Sequence, residues 1–420
     1  MPELVIGTPP RGEDYFGQDH FIETIWSHLK KDNVLLVAPR RFGKTGAMYR
    51  LLDYPRKPYV PIYIDVEYIM SAADFMVDLI VKLIKKRHFR RLAKAIWAET
   101  KEFGRFIRNL PTGIDFGGLK VEIREKTDVQ KRWLDYGDQI KSLLSKETSH
   151  LLLIIDEFPI MVDNIIRKNH EEAKQFLHWF RSLRTAPDTS ARFVLGGSIN
   201  LVSTLEYHGL VDTINDIPLI KLPIFSPETA KRFIEEIFSS RNTAITGEVK
   251  ETILQLIGEP IPYLLAVLLT AIINRARVLN REVTPGIVKE AFDEDLLGGS
   301  TSAVFLHYRA RIDQYQYYSD LEARTAKTIL GILSLSDKPV KRDTLYQVFL
   351  ETCNLSPGVQ SREDFLRLMQ KLDNDFYLKS KDNMYTFYSR VLKIWWKTHY
   401  GWGGTESAES TQSSEKIPEE

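Results

Sequence analysis

A chain of 420 residues is long enough for two or three domains with ample core. Its 57 Lys+Arg against 56 Asp+Glu leave a net charge of +1, so no overall field marks it for nucleic acid; a local basic face stays open. The single cysteine, Cys353, excludes an internal disulfide framework and suits a reducing, cytoplasmic setting.

In chain order, the first ten residues have neither a basic region nor a long apolar one, so no secretory signal is expected. Apolar β-rich runs then alternate with helical patterns, the mark of a parallel α/β sheet. The strands are expected at 33–37, 59–65, 151–155, 192–196 and 219–224, the helices at 44–52, 72–87, 129–145, 171–184 and 227–239. Ser226 followed by Pro227 reads as an N-cap and first-turn pair. Residues 88–128 are not needed by this alternation and read as an insertion. It has a basic helical stretch at 89–109 and two apolar runs around Gly117-Gly118, a hairpin signal.

From 226 to about 300 the pattern is wholly helical. Its most apolar part, 261–273, is too short to cross a bilayer and reads as a buried helix, so no membrane partner is expected. A linker is expected at 301–322. Residues 323–402 give helices at 324–335, 341–352 and 361–374, then a hairpin over 376–388 turning at Asp382-Asn383, then a Trp-rich helix at 389–400. Three helices followed by a hairpin outline a winged helix. Residues 403–420 are polar, without apolar periodicity, and are expected to be a disordered acidic tail.

The residues with chemistry cluster at strand ends. The run Ala38-Pro39-Arg40-Arg41-Phe42-Gly43-Lys44-Thr45-Gly46 follows the first strand and opens a helix, the context of a phosphate-binding loop. Inward N–H groups and the helix N-terminus favour bound phosphate. Lys44 is expected to reach the β- and γ-phosphates, and the Thr45 hydroxyl to hold Mg²⁺. Ala38 stands where the strict pattern has Gly. The bland alternative is a chance Gly-Lys-Thr turn.

The strand 151–155 ends in Asp156-Glu157. At the carboxyl end of a parallel strand these acids line the ligand crevice. Asp156 is the expected Mg²⁺ acid, and Glu157 the group that orients or deprotonates water for γ-phosphate hydrolysis. The strand 192–196 leads into Gly196-Gly197-Ser198-Ile199-Asn200. If it inserts between the other two strands, Ser198 or Asn200 faces the γ-phosphate; otherwise these are ordinary turn residues. Arg40, Arg41, Arg181 and Arg184 are candidates for stabilising transition-state charge, any one of them as a finger toward a neighbouring subunit; the bland alternative for each is a solvated or salt-bridged arginine, and Arg40 and Arg41 are better placed because they sit inside the loop. No His spacing suggests zinc, and there is no nucleophile-elbow motif.

Together, Tyr15-Phe16-Gly17-Gln18-Asp19, the 38–45 loop, 151–157, Gly197-Ser198 and Ile261-Pro262-Tyr263 resemble the archaeal-type STAND-class ATPases of the AAA+ and origin-recognition-like group. The resemblance spans about residues 12–400. It implies an α/β P-loop NTPase parallel sheet with helices on both faces (1–225), an all-α lid (226–300) and a winged-helix domain (323–402). It implies that Phe16 and Gly17 lie near adenine and that Pro262 of the lid abuts the nucleotide. ATP or ADP with Mg²⁺ would sit between sheet and lid, and its exchange or hydrolysis would switch the lid and winged-helix angle. Expected partners are ATP and either a protein or further copies of the chain. DNA binding through the helix at 361–372, with Arg362, Arg367, Gln370 and Lys371, is the competing reading, and a nucleotide-binding protein with little hydrolysis is a third.

Overall fold

The computed structural model describes residues 2–39, 41–85, 126–145, 150–197, 201–298, 303–314 and 318–401. Of the expected insertion over 88–128, residues 88–125 lie outside these residues, as does the expected tail over 403–420. The chain forms two units, 1–223 and 224–420.

The first unit is built on five parallel strands: β1 (Val34–Val37), β2 (Tyr59–Asp65), β3 (His150–Asp156), β4 (Arg192–Gly197) and β5 (Leu219–Lys221). Their spatial order is β2-β3-β4-β1-β5. β4 therefore does insert between β1 and β3, in register Val37 to Gly197 and Ile155 to Leu195. All of β1 and six of the seven residues of β3 are buried. A strand covered on both faces needs apolar side chains on both, hence the unbroken runs Val-Leu-Leu-Val and Leu-Leu-Leu-Ile-Ile.

The helices of this unit are α1 (Asp19–Leu29), α2 (Lys44–Asp53), α3 (Ala72–Lys85), α4 (Lys126–Ser145), α5 (Phe158–Lys168), α6 (His170–Arg184) and α7 (Leu201–Tyr207). Asn169 caps α6 by accepting from the Glu171 and Glu172 N–H groups. An aromatic core joins α3, α5, α6 and β4. Phe158 stacks on Phe180 at 5.1 Å, and Phe75 meets Phe176 edge-on at 5.1 Å. Each buried Phe contributes about 1.5–3 kcal/mol by leaving water.

The second unit begins with α8 (Pro227–Ser239), α9 (Gly247–Ile257), α10 (Pro262–Leu279) and α11 (Pro285–Glu290), continued by a π-helical turn, Ala291–Leu297. Ser226, Thr246 and Thr284 accept from first-turn N–H groups of α8, α9 and α11. α10 runs further than the apolar stretch in the sequence. By length and composition it is sufficient to cross a membrane. Its Leu265, Leu268, Leu269 and Ile272 are nonetheless fully buried, and it packs on α11 and the π-helical turn.

The expected linker carries a helix, α12 (Ala303–Gln314). Arg311 of α12 and the Tyr318 hydroxyl both bond the Asp375 carboxylate, tying this segment to the C-terminal elements. Those elements are α13 (Asp320–Leu335), β6 (Val340–Lys341), α14 (Arg342–Cys353), α15 (Val359–Asn374), β7 (Leu378–Lys381), β8 (Met384–Phe387) and α16 (Arg390–Tyr400). A capping box of Ser319 and Glu322 starts α13. The strands form an antiparallel sheet in the order β6-β8-β7. Asp382 and Asn383 both take positive φ, 51° and 59°, as a two-residue hairpin turn requires. Trp395 and Trp396 of α16 are fully buried.

Candidate nucleotide site

Between β1 and α2, two of the described residues are left-handed, Arg41 at φ 68° and Gly43 at φ 99°. Left-handed backbone is free for Gly and uncommon for Arg. Ala38 is buried and its φ is not positive, so a Cβ at this position costs no backbone strain. Pro39 accepts from the Phe42 N–H at 3.3 Å, closing the turn. Gly43 has no side chain to cap α2, and a helix N-terminus favours a bound anion.

Gly46 is fixed by close packing. A Cβ there would stand 2.9 Å from Tyr15 Cδ2 and 3.1 Å from Pro10, so the segment around 10–17 lies directly on α2. Phe16 is half-buried beside this contact, and Gly17 takes φ 68°. Gln18 is engaged structurally: it accepts from the Tyr15 hydroxyl at 2.7 Å and donates to the Pro223 carbonyl at 3.0 Å.

Lys44 is only 5% exposed. Its aliphatic part lies over Gly196 of β4, where a Cβ would come within 3.3 Å of Lys44 Cδ and 2.2 Å of Met48 Cε. At Gly197 a Cβ would stand 2.2 Å from Pro159 Cδ and 3.4 Å from Glu157 Oε2. The two glycines are therefore clearance for the site as well as the end of a strand. The sequence shows them as turn residues, and nothing local signals the side chains that need the room.

Asp156, 2% exposed, is the centre of the polar contacts. Its Oδ2 accepts from the Thr45 hydroxyl at 2.7 Å and from the Tyr63 hydroxyl at 3.1 Å, and its Oδ1 accepts from the Glu157 N–H at 3.0 Å. Burial, reinforced by the Asp156 charge, pushes the Tyr63 phenol far above its ordinary value. Tyr63 is absent from the sequence-based site. Its signal is a polar tip two residues before Asp65, in a strand otherwise apolar between Tyr59 and that acid. Hard oxygen donors, one a buried carboxylate, suit Mg²⁺; Thr45 and Asp156 are the residues that would hold it.

Glu157 takes φ 56°, an uncommon conformation that concentrates at functional sites. Its carbonyl accepts from the Ile160 N–H, so it stands at the N-terminus of α5. That helix is not among those the sequence pattern predicts.

One expected residue is corrected. The sequence offers Arg184 as a finger, but it is 4% exposed and bonds the Asp216 carboxylate at 2.9 Å and the Thr213 carbonyl at 2.8 Å. It ends α6, eight residues before β4 begins, and Asp216 lies just before β5. This is the amino end of the strands, opposite the edge that carries the loop. Arg181 is near the same Asp216, at 3.8 Å. Arg40, Ser198 and Asn200 lie outside the described residues. Pro262 belongs to the second unit, where it opens α10.

No family model and no curated protein matches the chain. Among solved structures it is similar to the Walker-type ATPase paby2304 of Pyrococcus abyssi, at TM-score 0.57 and 16% identity over 93% of this chain and 99% of that one. It is also similar to the ORC2 protein of Aeropyrum pernix in its ADPNP–ADP complexes, at TM-score 0.52 and 13% identity over 91% and 92% of the two chains. At these identities the likeness is one of fold: a P-loop NTPase-like α/β unit followed by a largely helical region.

Proposed function

We propose that the chain is an Mg²⁺-dependent ATPase acting as a nucleotide-controlled regulatory switch of the STAND-like kind. The observation that carries this reading is the Thr45–Asp156 hydrogen bond beside the buried Lys44, at the carboxyl edge of three adjacent strands. Lys44, the loop backbone over 38–43 and the N-terminus of α2 bind the phosphates. Thr45 and Asp156 hold Mg²⁺, which when bound neutralises phosphate charge. Glu157 orients the attacking water from the end of β3. Ser198 or Asn200 is proposed as the polar group at the γ-phosphate, and Phe16 and Gly17 as the residues near the base. The bound nucleotides of the ORC2 structure support ATP and ADP as ligands.

The segment from α13 to α16 has the helix and hairpin order of a winged helix, and it is proposed as the moving part. DNA binding is the second reading. Arg362, Gln370 and Arg367 of α15 are exposed, as a groove-reading helix needs. Against it, Glu363 is exposed on the same helix, Arg367 lies 3.6 Å from Asp364, and Lys371 is buried on Glu322. A protein partner or self-assembly is therefore preferred. The test is particle mass and scattering profile with ATP, with ADP and with neither. A nucleotide-dependent change supports the switch; identical profiles in all three states, alongside normal turnover, contradict it.

A further inference from the structure

We infer that Tyr63 is a positioning residue for Mg²⁺, acting through Asp156; the inference rests on the proposed nucleotide site. An ionised carboxylate has about four acceptor positions. Both on Asp156 Oδ2 are occupied, by the Thr45 hydroxyl at 2.7 Å and the Tyr63 hydroxyl at 3.1 Å. One on Oδ1 is occupied by the Glu157 N–H at 3.0 Å. Among the described residues, the position left open is on Oδ1. The Thr45 hydroxyl, donating its hydrogen bond to Asp156, keeps its oxygen lone pairs for a cation.

Tyr63 is what makes this assignment single-valued. Without it, Oδ2 has a vacant acceptor position and the carboxylate can turn about its terminal torsion, which is intrinsically broad. With it, three donors from three elements pin the group: α2, β2 and the start of α5. Tyr63 is itself held. Its strand is paired residue for residue with β3, Tyr63 beside Ile154 and Asp65 beside Asp156, and its ring packs on Tyr49 at 5.1 Å. The phenol reaches Asp156 from the strand next door, two residues along from the acid's own partner. A merely space-filling aromatic here needs no hydroxyl, whereas this one is aimed at the buried carboxylate.

Partners that orient a metal ligand usually change metal affinity roughly tenfold to hundredfold when removed. The test is calorimetric binding of ADP to the full chain, without Mg²⁺ and across an Mg²⁺ titration. The variants are Tyr63→Phe, which keeps the ring, and Tyr59→Phe. Tyr59 lies on the same strand, and its hydroxyl donates to the Leu29 carbonyl at 2.6 Å, away from Asp156. Tyr63→Phe should bind ADP without Mg²⁺ within about twofold of wild type. It should need roughly tenfold more Mg²⁺ for the half-maximal effect on affinity. Tyr59→Phe should titrate as wild type does. The inference is overturned if Tyr63→Phe has the wild-type Mg²⁺ dependence, or if both Phe variants shift it equally. Wild type that binds ADP with no response to Mg²⁺ overturns the inference and leaves the nucleotide reading standing. Wild type that binds no ADP overturns both.

Discussion

The Thr45 hydroxyl and the Asp156 carboxylate, 111 residues apart in the chain, meet at 2.7 Å. The bond joins the first turn of α2 to the last residue of β3, so it exists only because β4 lies between β1 and β3 and all three strands end at one edge. Thr45→Val keeps the shape and removes the donor. Leaving a buried carboxylate short of one donor costs about 1–3 kcal/mol. Urea unfolding of nucleotide-free protein should show a loss in this range, and no loss would mean the bond is not formed in solution.

Gly197→Ala should be more damaging than Gly196→Ala. The new methyl at 197 meets the Pro159 ring at 2.2 and 2.6 Å, and a proline ring in the first turn of a helix cannot swing away. At 196 the nearest atom is Met48 Cε, the end of a flexible side chain. Overpacking of the first kind costs about 1–3 kcal/mol. The reverse order of denaturation midpoints would contradict this packing.

Arg184→Met should destabilise the fold and spare the site. It leaves Asp216 without its buried partner, a change that typically costs about 3–5 kcal/mol when a buried pair is broken. ATP affinity of the folded fraction should stay within about twofold of wild type, since Arg184 stands at the opposite edge of the sheet. A selective loss of turnover with unchanged stability would restore the finger reading.

His208 sets a pH dependence. Burial, then the nearby His170 ring at 5.6 Å, lowers its pKa below the ordinary value of 6.5. Between that depressed value and 6.5 the unfolded chain binds more protons than the folded one, so stability rises with pH. Acidifying below about 6.5 should therefore lower the melting temperature until the folded-state pKa is passed. His208→Gln should flatten that part of the profile. A variant as acid-sensitive as wild type would show that the effect lies elsewhere.

Much of this arrangement is legible in the sequence because buried parallel strands must be continuously apolar and their carboxyl ends abruptly polar. Tyr59–Asp65 and Pro227–Ser239 are bounded by such changes and by a Ser-Pro cap, and the structure has both at the expected residues. α5 escapes the pattern because it starts on Glu157-Phe158-Pro159, where the acid reads as the end of a strand and the proline as a breaker. Tyr63 escapes it because its role depends on register with β3, ninety-three residues away along the Asp156 contact. Arg184 looks available because Arg181 and Arg184 share a helix face. Nothing near them in the chain announces Asp216.

The most direct measurement is equilibrium binding of ATP with Mg²⁺ to wild type, Lys44→Ala and Glu157→Gln. Wild type should bind, and Glu157→Gln should bind equally while turning over slowly. Lys44→Ala should bind about a hundredfold more weakly, the loss of one buried charge-assisted contact. Wild type that binds no ATP, or Lys44→Ala that binds as well as wild type, would contradict the assignment of residues 38–46 as a nucleotide site.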